Sequence, residues 1–71
     1  MVDNKNNKIQ LTERELQVLK LISKGLSTKE ISSELNITTN TVNTYRKRIP
    51  RKLEVRNCTE AVYLMSKYEL I

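Results

Sequence analysis

A capping pattern recurs along this chain and sets how many helices it can form. Thr12 with Glu15, Ser27 with Glu30, and Asn57 with Glu60 each place a short polar residue three positions before a glutamate. In that arrangement the polar side chain accepts the N–H of the third helical residue, and the glutamate reaches back to the N–H of the cap. Leu11 and Leu16 bracket the first pair, and Leu26 and Ile31 the second, at the spacing of a hydrophobic staple. Thr38 lacks the glutamate but keeps the staple, Ile37 with Val42. Gly25 and Asn36 stand where the first two segments end, and both residue types accept the left-handed turn that stops a helix. The pattern predicts an all-α fold, a four-helix domain.

The apolar positions say which faces are buried. In helix 1, Leu16, Val18, Leu19, Leu21 and Ile22 make a surface wide enough to be covered on more than one side. Helix 2 is two turns long, with Ile31 and Leu35 inward and Lys29 and Glu34 outward. Helix 3 starts at once from Thr38. Val42, Ile49 and Leu53 mark its buried stripe, and Asn43, Thr44, Lys47 and Arg51 fall on the opposite side. Two short helices joined by a turn of about three residues, the second one basic, are the sequence form of a helix-turn-helix. Ile31, Leu35, Ile37 and Val42 pin the pair across the turn.

Helix 4 starts near Asn57. Ala61, Val62, Leu64, Met65 and Tyr68 give it more apolar surface than the closing helix of so small a core requires. Two readings stand side by side. The helix rests on helix 1, or part of its face (Leu64, Tyr68, Leu70) meets the same helix of a second subunit. The candidate dimer set is Val62, Leu64, Met65 and Tyr68.

Charge separates the faces further. The chain carries a net +5. From Val42 to Cys58 there are six basic residues, Arg46, Lys47, Arg48, Arg51, Lys52 and Arg56, against Glu54 alone; the remainder holds seven of each sign. Asn and Thr are interleaved with these cations and the glutamates of an ordinary i,i+4 pattern are missing, which favours a footprint for phosphate over a merely solvated face. A pI near 9.6 fits a nucleic-acid partner, and an anionic membrane surface shares that chemistry.

Other classes are excluded by what is absent. One Cys and no His leave no disulfide and no structural metal site. With Asp3 the only aspartate and no Gly-rich loop, no acid–base or nucleophilic constellation can be assembled, so no enzyme and no cofactor is expected. The longest apolar run, Ala61 to Met65, is far short of the roughly 20 residues of a membrane span. The opening MVDNKNNK has no apolar h-region, so a cytoplasmic location is expected. Residues 1–9 read as a disordered tail or linker stub and residues 10–71 as the folded domain, to which a larger protein could be joined on the amino side.

The run LTERELQVLKLISKGLSTKEISSELNITTNTVNTYRKRI, followed by RKLEV and TEAV, resembles the helix-turn-helix output domain of LuxR/FixJ-type (GerE-like) transcription regulators. The likeness covers roughly Leu11 to Ile71 and is closest to the response-regulator branch, in which a receiver domain precedes the output domain. It implies a central helix-turn-helix of helices 2 and 3 and a C-terminal dimerisation helix. By position, Asn43, Thr44 and Lys47 match the base-facing residues of the family. Thr28 and Lys29 match phosphate contacts at the start of helix 2, and Thr41, Tyr45 and Arg46 match backbone-facing positions of helix 3. Thr39, Asn40, Arg48 and Arg51 complete the candidate phosphate set.

Three residues depart from the family pattern. Pro50 replaces an apolar or helix-favouring residue; in a regular helix a proline there costs on the order of 3 kcal/mol. It predicts a kink or register change near Ile49, with Thr39 to Arg48 regular, which weakens the case for Arg51 and Lys52 as contacts. Cys58 replaces a common Arg and reads as a small, partly buried filler. Glu69 replaces a common Gly.

The expected activity is sequence-specific binding of double-stranded DNA by a bacterial transcriptional regulator. The recognition helix, residues 39 to 49, would lie in the major groove. There an Asn can pair with adenine, a Thr methyl can pack on thymine and a Lys can reach guanine. Two rivals remain: a sigma-factor region 4 domain, which shares the LTxRE opening, and a basic protein-interaction module with an acidic partner.

Overall fold

Each helix begins where its cap residue stands. The computed structural model describes residues 11–68 and builds them from four helices: α1 (Glu13–Ser23), α2 (Thr28–Leu35), α3 (Thr39–Leu53) and α4 (Cys58–Lys67). Both reciprocal capping boxes form. Thr12 Oγ1 accepts the Glu15 N–H at 3.1 Å while Glu15 accepts the Thr12 N–H at 2.9 Å, and Ser27 and Glu30 repeat the exchange at 3.1 and 2.8 Å. Thr38 caps α3 by accepting the Thr41 N–H at 3.1 Å. At α4 the box is one-sided. Asn57 accepts the Glu60 N–H, but the Glu60 carboxylate turns to the N–H and guanidinium of Arg56. The amino-terminal tail expected over residues 1–9, Glu69 and Leu70 lie outside the described residues.

The helices stop on one device used three times. Gly25, Asn36 and Glu54 take positive φ, at 91°, 58° and 58°. After each of them the next residue reaches back: Leu26 N–H to Leu21 C=O, Ile37 N–H to Ser32 C=O, and Val55 N–H to Pro50 C=O. This is the Schellman closure, which satisfies carbonyls that a helix end leaves free. Leu26 and Ile37 then serve as the apolar residue before the next cap, so four residues turn the chain between α1 and α2 and three between α2 and α3.

The kink or register change expected near Ile49 does not end α3 at Pro50. The helix runs on through the buried proline to Leu53. Two local facts explain this. Pro50 lies in the last turn, where its own carbonyl is taken up by the closure to Val55. The Arg46 carbonyl, which a proline four residues on cannot serve, accepts the Cys58 thiol at 3.3 Å. Arg51 and Lys52 therefore stay in helical register.

The core is formed by Val18 and Leu19 of α1, Ile31 of α2, Val42, Ile49 and Leu53 of α3, and Ala61 and Met65 of α4. Helix α3 packs against each of the other three helices, and α1 also packs against α4. Burying α3 along one stripe by all three neighbours leaves its other side to solvent, and that side is the candidate site.

Candidate nucleic-acid interface

The staple Ile37–Val42 and the buried residues Val42, Ile49 and Leu53 fix α3 in rotation. Asn43, Thr44, Lys47, Arg48 and Arg51 are exposed as a result. Asn40, Thr44, Lys47 and Arg51 follow at spacings of four, three and four and so form a single outward stripe, with Asn43 beside it. The Thr44 hydroxyl donates to the Asn40 carbonyl at 3.0 Å, so its hydrogen is committed to the helix itself. Thr41 Oγ1 lies 2.9 Å from Thr38 Oγ1, part of the cap rather than a free donor. Tyr45 and Arg46 are half-buried at the flanks.

Lys29, Thr39 and Asn40 are exposed and Thr28 is half-buried, all in the first turns of α2 and α3. There the leading N–H groups of a helix have no acceptor within it, and the dipole favours an anion. The start of α2, the start of α3 and the basic half of α3 thus each present polar or basic side chains to solvent.

Not every cation belongs to that face. Lys52 Nζ lies 2.9 Å from Oε1 of Glu15, which is itself buried. One carboxylate therefore caps α1 and holds the last turn of α3. Burial pushes the Glu15 carboxyl up, but the Lys52 ammonium and the Thr12 donors outweigh it and leave it below the usual carboxylate range. Arg56 pairs with Glu60 at 2.8 Å across an exposed i,i+4 step. Arg46, Lys47, Arg48 and Arg51 form no ion pair among the described residues. Sequence reasoning missed the Lys52 tie, because Glu15 reads as a capping residue and nothing local names a partner 37 positions away.

On α4, Met65 is 1% exposed and belongs to the core of this chain, which removes it from the candidate dimer set. Val62 and Leu64 are half-buried and Tyr68 is 46% exposed. The side chain that stands out most is Tyr63, at 68%, which the apolar pattern did not single out. Among the described residues no helix is long and apolar enough to cross a membrane, and no group of His, Cys, Asp and Glu could hold a metal ion.

Residues 9–65 match the family model described as bacterial regulatory proteins, luxR family. Over 61 residues the chain is 48% identical to the response regulator protein VraR of Staphylococcus aureus, and equally to that of Staphylococcus saprophyticus. Those matches take in 86% of this chain and 29% of the relatives, so the chain spans less than a third of their length. Among solved structures it superposes on the response regulator ChrA of a heme-sensing two-component system with a TM-score of 0.78 and 34% identity, over 86% of this chain and 30% of that one. It superposes on Escherichia coli SdiA with a TM-score of 0.84 and 28% identity, over 92% and 27%.

Proposed function

Because the chain belongs to the luxR family of bacterial regulatory proteins, whose domain serves DNA-binding transcription regulation, we propose that α3 reads a specific duplex from the major groove. The observation that carries the proposal is the outward side of α3. Asn43, Thr44 and Lys47 stand exposed on a helix locked from behind by Val42, Ile49 and Leu53. A rigid scaffold presenting amide, methyl and ammonium groups together supplies donors, an acceptor and an apolar contact for base edges. With its hydroxyl turned to Asn40, Thr44 offers mainly its methyl, which suits thymine.

The phosphate contacts divide between charge and helix ends. Lys29, Arg46, Arg48 and Arg51 supply charge, and the first turns of α2 (Thr28) and α3 (Thr39, Asn40) supply N–H groups; Thr41 and Tyr45 flank the backbone. These contacts set register and salt dependence but carry no base information. Residues 10–71 act as the output domain of a longer cytoplasmic regulator in which a receiver domain precedes them. A second copy docks through α4, using Val62, Leu64, Tyr68 and the exposed Tyr63. The target is then an inverted repeat with half-sites about one helical turn apart.

Selection of bound duplexes from a random pool, followed by anisotropy titration of the winner against a scrambled duplex, tests this reading. Enrichment of a two-fold motif is the expected result. Equal affinity for every duplex, or no binding at moderate salt, overturns it.

A further inference from the structure

We propose that the cleft between the C-terminal half of α3 and the start of α4 seats one backbone phosphate of the duplex that α3 reads, an inference that rests on the DNA-binding reading above. The cleft encloses about 480 Å³ and opens to solvent. Arg46, Lys47, Arg51 and Arg56 all line it, and no carboxylate does. Pro50, Val55 and Cys58 add apolar lining, while Asn57 and Thr59 bring in the first turn of α4.

Three features select the occupant. First, Arg46, Lys47 and Arg51 have no ionic partner among the described residues, and Lys47 and Arg51 sit at i,i+4, where like charges destabilise a helix. An anion placed among them relieves that repulsion. Second, the cleft adds no negative charge of its own. Glu60 is turned to Arg56, and burial pushes the Cys58 thiol up, so it stays neutral. Third, Arg46 and Lys47 belong both to the cleft and to the helix that carries Asn43 and Thr44. An anion in the cleft therefore lies alongside the base-reading side, where the flanking strand of a duplex runs. The leading N–H groups of α4, at Cys58 and Thr59, have no acceptor within their helix and strengthen the same preference. Asn57 and Thr59 thereby join the interface although they lie outside the helix-turn-helix.

Thr59→Glu is the discriminating variant. A glutamate in the first turn suits the α4 dipole, so folding is retained while a carboxylate enters the cleft. Anisotropy titrations on the selected duplex, from about 50 to 200 mM salt, compare it with Arg51→Gln and with Lys67→Gln at the far end of α4. Thr59→Glu is expected to weaken binding on the order of tenfold, and Arg51→Gln to reduce the log–log salt slope by about 0.9. Lys67→Gln should alter neither. Replacing single phosphates of the duplex by uncharged methylphosphonates should reveal one position that weakens the unaltered chain and has no further effect on Thr59→Glu. If Thr59→Glu and Arg51→Gln bind as the unaltered chain does while Asn43→Ala loses affinity, the cleft is empty in the complex and this inference is overturned alone. If the unaltered chain binds no duplex, the parent reading falls and takes the cleft with it.

Discussion

The Cys58 thiol donates to the main-chain carbonyl of Arg46 across 3.3 Å, and that carbonyl is the one Pro50 leaves without its helical donor. Pro50 and Cys58 thus act on one carbonyl. The pairing explains how a proline is held inside α3 without ending it. Burial keeps the thiol protonated and able to donate, opposed only in part by the nearby Arg46 charge. A double-mutant cycle measures the coupling. Cys58→Ala alone is expected to cost about 1 kcal/mol in urea unfolding. Beside Pro50→Ala, whose N–H reclaims the carbonyl, it should cost less than half as much. Equal costs in both backgrounds would show the thiol contact to be idle.

The tie from Glu15 to Lys52 predicts an acid-sensitive fold. The Glu15 carboxyl is held below its ordinary value of 4.5, so its contribution is fully present above about that pH. It is lost as pH falls through the lowered value, where the folded state must take up the proton. Lys52→Met removes the main partner of a buried carboxylate and should destabilise by about 1–3 kcal/mol at neutral pH. It should also flatten the acid limb of the stability curve, because without the ammonium the folded carboxyl returns toward its ordinary value. Thermal unfolding between about pH 3 and 7 checks both, and Glu15→Gln should flatten that limb.

Glu54 closes α3 in the left-handed region at φ 58°, where a side chain other than Gly or Asn is strained. Glu54→Gly should raise stability by about 1 kcal/mol. The substitution removes an acid from the basic end as well, so the duplex affinity should not fall. A lower unfolding midpoint would mean that the left-handed turn carries no strain to relieve.

Base-facing and backbone-facing residues should part company in binding. Asn43→Ala and Lys47→Ala are each expected to lose roughly 1–3 kcal/mol on the selected duplex and to relax preference at one base pair. Arg46→Ala should weaken selected and scrambled duplexes alike and lower the salt slope by about 1. Equal losses on both duplexes for all three variants would refute the division.

Met65 and Tyr63 should separate core from second-subunit face. Met65→Ala is expected to cost about 2–5 kcal/mol in unfolding. Tyr63→Ala should leave the monomer within about 0.5 kcal/mol of the unaltered chain and weaken self-association in sedimentation.

The helix count, the caps and the buried stripe of α3 were legible in the sequence because each rests on contacts three or four residues apart. Thr12 finds Glu15 and Ile37 finds Val42 wherever the rest of the chain lies, and the outward side of α3 follows from the stripe it turns away from. What tertiary structure alone decided is who meets whom across helices. Lys52 lies 37 residues from Glu15 and Cys58 lies 12 from the Arg46 carbonyl, and no local spacing encodes either approach. The same holds on α4, where Met65 and Tyr63 stand two positions apart in one apolar run and only docking against α1 and α3 chose which to bury. Helix ends are set by short-range hydrogen bonds; the pairing of helix faces is set by the volume left when all four are packed at once.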